Sequence, residues 1–153
     1  GGKDEMLDGV VAVVQAQFVD STALGGDWHG DMSAFARAYR TTLSEHPNVV
    51  PIIASRPAVA YRTSTAVVEP LLASLESAGF SREDALRAVR VFSRWIIGFS
   101  LGEASSGVAQ EAAGEFDEPF LVEVVSDIAS AEDAVFEFGL VALLDGLGAR
   151  LGT

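Results

Sequence analysis

Over residues 131–151 the chain carries two apolar stripes at helical spacing, and no other feature limits the fold as much. One stripe is Phe136, Leu140, Leu143, Leu147 and Leu151. The other, turned about 100° round the axis, is Val135, Gly139, Ala142, Gly146 and Ala149. A helix on a protein surface needs only one such stripe, so this one must be covered on two sides. Each interior glycine costs a helix about 1 kcal/mol against alanine. Gly139 and Gly146 therefore predict close approach of another backbone, most simply that of a second copy of the chain. Wrapping of the whole helix by its own domain is the alternative.

The rest of the sequence repeats the helical period. Residues 3–19 place Met6, Leu7, Val10, Val11, Val14 and Phe18 on one side of a first helix. After a glycine-rich loop over 21–30, Asp31 is expected to open a second helix with Phe35, Tyr39, Thr42 and Leu43, which Pro47 ends. A short apolar segment, 49–55, leads to Pro57 and a long helix with Tyr61, Thr65, Val68, Leu72 and Leu75, kinked at Pro70. Gly79 stops it. Ser81 and Asp84 form a capping box for a helix running to Glu103, with Ala85, Val89, Phe92, Ile96 and Phe99 on one face. Residues 104–118 read as a mobile loop and 119–130 as a short helix before the terminal one. No segment alternates as a half-buried strand does, so the fold class is all-α, a multi-helix bundle forming one domain over 1–153.

A chain of 153 residues buries roughly 68–70% of its unfolded surface without disulfide or metal. It has no cysteine, which excludes thiol chemistry and thiolate metal sites. Net charge is −12, from 22 acidic and ten basic residues, and no Lys or Arg occurs between Arg94 and Arg150. Such a surface repels nucleic acid. No apolar run approaches the length of a membrane span and no signal pattern opens the chain. A soluble cytoplasmic protein with no membrane partner is expected.

Several short stretches, taken in order, carry a resemblance. They are Lys3-Asp4-Glu5-Met6-Leu7-Asp8, Trp28, Phe35-Ala36-Arg37-Ala38-Tyr39-Arg40, His46-Pro47, Ser55-Arg56-Pro57, Ala78-Gly79-Phe80-Ser81, and Phe136-Glu137-Phe138-Gly139-Leu140 with Gly146-Leu147. Over nearly its whole length the chain resembles the effector-binding and dimerisation domain of the tetracycline-repressor (TetR) family. The resemblance implies a homodimeric repressor that leaves its operator when a small molecule binds among the helices. In that family a helix-turn-helix domain precedes the segment that residues 3–19 resemble. It is missing from this chain, so operator DNA is expected as a partner only through that absent part.

The resemblance also implies a four-helix-bundle interface, built from the helix over 81–103 and the terminal helix. Its expected residues are Phe92, Ile96, Phe99, Val135, Gly139, Ala142 and Gly146. In the tetracycline-binding branch a His four residues before the Arg of the Arg-Pro pair ligates the drug's magnesium. This chain has Ile52 there, and an apolar side chain cannot coordinate a hard cation. With Phe18 and Phe35 where that branch has polar groups, an apolar or aromatic effector is expected, with no metal and no cofactor. Tyr39, Tyr61, Val68 and Val89 would line the cavity, Thr65 and Ser93 would supply orienting hydroxyls, and Arg90 would turn inward from the stripe Arg87, Arg90 and Arg94.

Arg56 allows two readings, a fork of donors for an effector or a salt bridge at the start of a helix. His29 and His46 lie far apart, without the spacing of metal ligands or of a catalytic pair. Glu111, Glu115, Asp117 and Glu118 sit in a Gly- and Ala-rich stretch that would leave them solvated. Two rival functions use the same fold: an enzyme on a helical bundle, and a stand-alone binding module. The sequence offers the enzyme no nucleophile and base at plausible spacing.

Overall fold

The computed structural model describes the backbone of residues 2–113, 119–120, 123–124 and 131–151, and the side chains of these apart from 106–113. The described residues form seven α-helices and no strand. They are α1 (Lys3–Ser21), α2 (Trp28–Glu45), α3 (Val50–Ser55), α4 (Pro57–Thr63), α5 (Thr65–Ser77), α6 (Arg82–Ala113) and α7 (Glu132–Gly148), with a 3-10 turn at Pro47–Val49. No helix among them is long and apolar enough to cross a membrane.

Local chemistry sets the boundaries. Asp27, not Asp31, opens α2: its carboxylate accepts from the Gly30 amide at 2.7 Å, as an N-cap does. Asp31 turns inward instead and accepts from the Gly25 and Gly26 amides at 2.9 and 3.0 Å. The long helix expected from Pro57 is two helices. They part at Ser64, where the Thr63 and Ser64 hydroxyls donate to the Val59 and Ala60 carbonyls and compete with backbone pairing. Pro70 lies within α5. Gly79, at φ +106°, takes a conformation that side chains disfavour and ends that helix. Ser81 caps α6 as expected, accepting from the Asp84 amide at 3.1 Å.

Two expectations at the end of α6 need revision. The helix does not stop at Glu103 but runs to Ala113. The apolar period lapses there, yet Ala104, Ala109, Ala112 and Ala113 are strong helix formers and carry the backbone on. Residues 114–118 of the expected loop lie outside the described residues. So does most of the expected helix over 119–130, of which 119–120 and 123–124 are helical.

The core lies between α2 and α6, which pack most extensively, with α1, α5 and α7 around them. Phe18, Phe35, Met32, Leu71, Leu75, Ile96 and Leu140 are buried there. On α7 the buried positions are Phe136, Leu140 and Leu144, while Leu143 and Leu147 are half-buried and Leu151 exposed. Arg40 ties three helices together. Its guanidinium pairs with Glu103 of α6 at 2.5 Å and Asp133 of α7 at 2.8 Å, and lies 4.6 Å over the Phe136 ring.

The expected interface residues divide. Phe92 and Ile96 are buried in the chain's own core, and Phe99 is half-buried against Trp95 and Phe136. They are not a free surface, because the face of α6 they occupy is the one that meets α2 and α7. Gly139 does face a close neighbour, but it is the Trp95 indole of the same chain. Val135, Ala142 and Gly146 are exposed, and no other part of the described residues comes within 4 Å of a Cβ at Gly146.

Candidate functional site

A cavity of about 360 Å³ opens among α1, α2, α3, α4, α5 and α6. That is within the range of small-molecule pockets, about 300–1,000 Å³. Its inner wall is aromatic. Phe18 meets Phe35 edge to face at 5.7 Å and Tyr39 at 4.7 Å. Ile53, Val68, Ile97 and Leu101 extend the apolar lining. The spacing of α1 and α2 explains this wall: Phe18 and the pair Phe35 and Tyr39 each sit on the buried stripe of an amphipathic helix.

Polar groups enter the cavity at few points. The Gln15 side-chain amide donates to the Tyr39 hydroxyl at 2.9 Å, and both residues are buried. Tyr39 thus accepts one hydrogen bond and keeps its own O–H to give. Burial pushes its phenol up to about 12, although the Gln15 bond opposes the shift, so it stays protonated at neutral pH. Ser64 and Ser93 already donate to the Ala60 and Val89 carbonyls, each at 2.8 Å. Arg90 and Arg94, both exposed, stand at the open side. The described lining holds no His, Cys, Lys or carboxylate. No residue of that described lining is a general base placed beside Ser64 or Ser93.

Of the residues expected to bind an effector, Phe18, Phe35, Tyr39, Tyr61, Val68, Arg90 and Ser93 line this cavity. Three do not. Arg56 is held on the protein surface by Asp4 and Asp8 of α1, each at 2.5 Å, so its salt-bridge reading holds. Thr65 is exposed at the start of α5, a consequence of the break at Ser64. Val89 is buried in the core behind the lining. Sequence reasoning missed Gln15, whose polar side chain on an apolar stripe was a usable signal, and Arg94, one turn beyond Arg90. Ile52 packs against the core, and among the described residues no cluster of His, Asp or Glu could hold a metal ion.

Two of the other recesses among the described residues are larger than this cavity. One of about 520 Å³ lies beside Trp28 and Asp31, but its one buried charge is already hydrogen-bonded to Gly25 and Gly26. The other, about 380 Å³, is a groove between α6 and α7 lined by Val91, Phe92, Ala142, Leu143, Gly146 and Leu147. Beside it Val135, Phe138 and Val141 of α7 are 50%, 77% and 52% exposed.

An all-helical domain enclosing a small apolar cavity, with an uncovered apolar helix face beside it, is the class of protein these features define. More particularly, residues 23–151 match the family described as tetracyclin repressor-like, C-terminal domain. The chain belongs to that family, the regulatory domain of TetR-type transcriptional regulators. It is 32% identical over 112 residues to an HTH-type transcriptional regulator of Saccharopolyspora erythraea, a match that covers 73% of this chain and 47% of that protein. The chain thus spans about half the length of this curated relative. Its fold is also similar to the crystal structure of a possible TetR family transcriptional regulator from Streptomyces coelicolor A3(2). The TM-score is 0.75 at 27% identity, covering 97% of this chain and 79% of that one.

Proposed function

We propose that residues 1–153 form the effector-binding and dimerisation domain of a transcriptional repressor, which releases its operator when a small, largely apolar molecule enters the cavity. The observation that carries this reading is the cavity itself, an aromatic wall of Phe18, Phe35 and Tyr39 with few polar groups in a chain of this family. Contact with DNA is assigned to a part of the intact protein outside these residues, since a net charge of −12 opposes it here. The cytoplasm is the compartment where such a regulator acts.

The homodimer is assigned to α6 and α7 of each protomer. Val91, Val135, Phe138, Val141, Ala142 and Gly146 supply the uncovered apolar surface it requires. Effector binding would alter the relation between the two copies, and a coupling of about 1–3 kcal/mol suffices for regulation.

Native mass spectrometry of the chain tests both halves of the proposal. A dimer, broken by Phe138→Glu without loss of helical content, is expected, together with added mass or thermal stabilisation by aromatic ligands. A monomer at micromolar concentration, unaffected by such ligands, would refute it.

A further inference from the structure

We infer that the effector is an amphipathic anion, its apolar body on the aromatic wall and its charged group held by Arg90 and Arg94 with the Tyr39 hydroxyl. This rests on reading the cavity as the effector site.

The pairing of charges in the chain points to it. Among 22 acidic residues, carboxylates hold most of the arginines: Arg37 by Glu137, Arg40 by Glu103 and Asp133, Arg56 by Asp4 and Asp8, Arg82 by Glu76, Arg87 by Glu83 and Asp84. Arg62, Arg90 and Arg94 are not so held, and of these only Arg90 and Arg94 line the cavity. Neither has a hydrogen bond or ion pair among the described residues, and no carboxylate lines the cavity they share. They lie one turn apart on α6, where two like charges repel, and among the described residues no acid pairs with either. An anionic ligand would supply the missing charge, and a guanidinium offers a carboxylate two parallel donors.

The third donor is independent of the arginines. The Tyr39 hydroxyl is buried at 4% exposure, accepts from Gln15, and has no acceptor for its own proton among the described residues. The cavity thus presents hydrogen-bond donors at its open side and in its wall. Its other hydroxyls, on Ser64 and Ser93, are already spent on the backbone.

The test compares octanoate, decanoate and 1-naphthoate, each with its neutral primary amide, by calorimetry and thermal shift on the wild-type chain, R90Q/R94Q, Y39F and R62Q. Arg62 lies on the exposed side of α4, outside the cavity lining. At least one carboxylate is expected to bind tenfold or more tightly than its amide. The double variant should erase that preference without weakening amide binding, and R62Q should leave it intact. Y39F should reduce carboxylate affinity severalfold. If the amides bind as well as the carboxylates, the anion assignment falls and the cavity remains an effector site. If neither series binds the wild-type chain, both readings fall.

Discussion

Gly139 is pressed against Trp95: a β-carbon at Gly139 would lie 2.7 Å from Cζ2 of the indole. The ring cannot retreat freely, because Phe136, stacked at 4.8 Å, Phe92 and Phe99 also pack against it. The close neighbour that Gly139 accommodates is an aromatic ring of the same chain, where the sequence pattern predicts a partner's backbone. A β-carbon at Gly146, in the same sequence stripe, would meet nothing within 4 Å among the described residues.

These two glycines should therefore respond oppositely to alanine. In Gly139→Ala the helix gains about 1 kcal/mol of propensity but overpacks against Trp95, typically a loss of 1–3 kcal/mol. A net loss of about 1 kcal/mol is expected, a fall in Tm of about 2–4 °C. Gly146→Ala should keep the fold intact and weaken self-association, read as the dimer fraction on dilution in sedimentation velocity. A Gly146→Ala protein that dimerises like wild type would remove this residue from the interface.

Asp31 makes acid stability a readout of one loop. Burial alone would raise its carboxyl pKa, but hydrogen bonds from Ser74 and from the Gly25 and Gly26 amides outweigh burial and hold it below the ordinary value of 3.8. With the folded pKa lower than the unfolded one, its contribution is present above about pH 4 and is lost as pH falls through the depressed value. Asp31→Asn should lower stability at pH 7 by about 1–3 kcal/mol, and flatten the fall in urea-unfolding stability as the pH drops below the ordinary carboxyl range.

Ser100 is the converse case. It is buried on α6, and its Oγ has no hydrogen-bond partner among the described residues. Replacing an unsatisfied hydroxyl by hydrogen removes a desolvation cost. Ser100→Ala, at a helical position, should raise the unfolding free energy by up to about 1 kcal/mol, read as a higher urea midpoint with no change in the m-value.

Arg56 fastens α1 to the junction of α3 and α4 through Asp4 and Asp8. Arg56→Ala should leave carboxylate binding unchanged while hastening proteolysis and hydrogen exchange within α1. A large loss of ligand affinity would return Arg56 to the site.

The helices and the aromatic wall could be read from the sequence because amphipathic period and cap residues are local signals, as Phe18, Phe35, Tyr39 and Ser81 illustrate. What escaped depends on distance in three dimensions. The sequence cannot tell whether Arg56 reaches an effector or the acids of α1, 48 and 52 residues away. It cannot tell that Trp95 claims the space beside Gly139. Ser64 escaped for another reason: serine is weakly informative alone, and Pro70 was the stronger breaker on offer.

One rod borders both recesses, the cavity and the groove. Along α6, Arg90, Ser93, Arg94, Ile97, Gly98 and Leu101 face the cavity, while Arg87, Ala88, Val91 and Phe92 face the groove beside α7. At 32 residues and about 1.5 Å per residue, the helix spans about 48 Å as a single hydrogen-bonded unit. A ligand that rolls or slides it by a small amount moves the rim of the groove in the same stroke. On the function proposed above no relay of intervening side chains is needed, and sensing and assembly would be two readings of a single displacement.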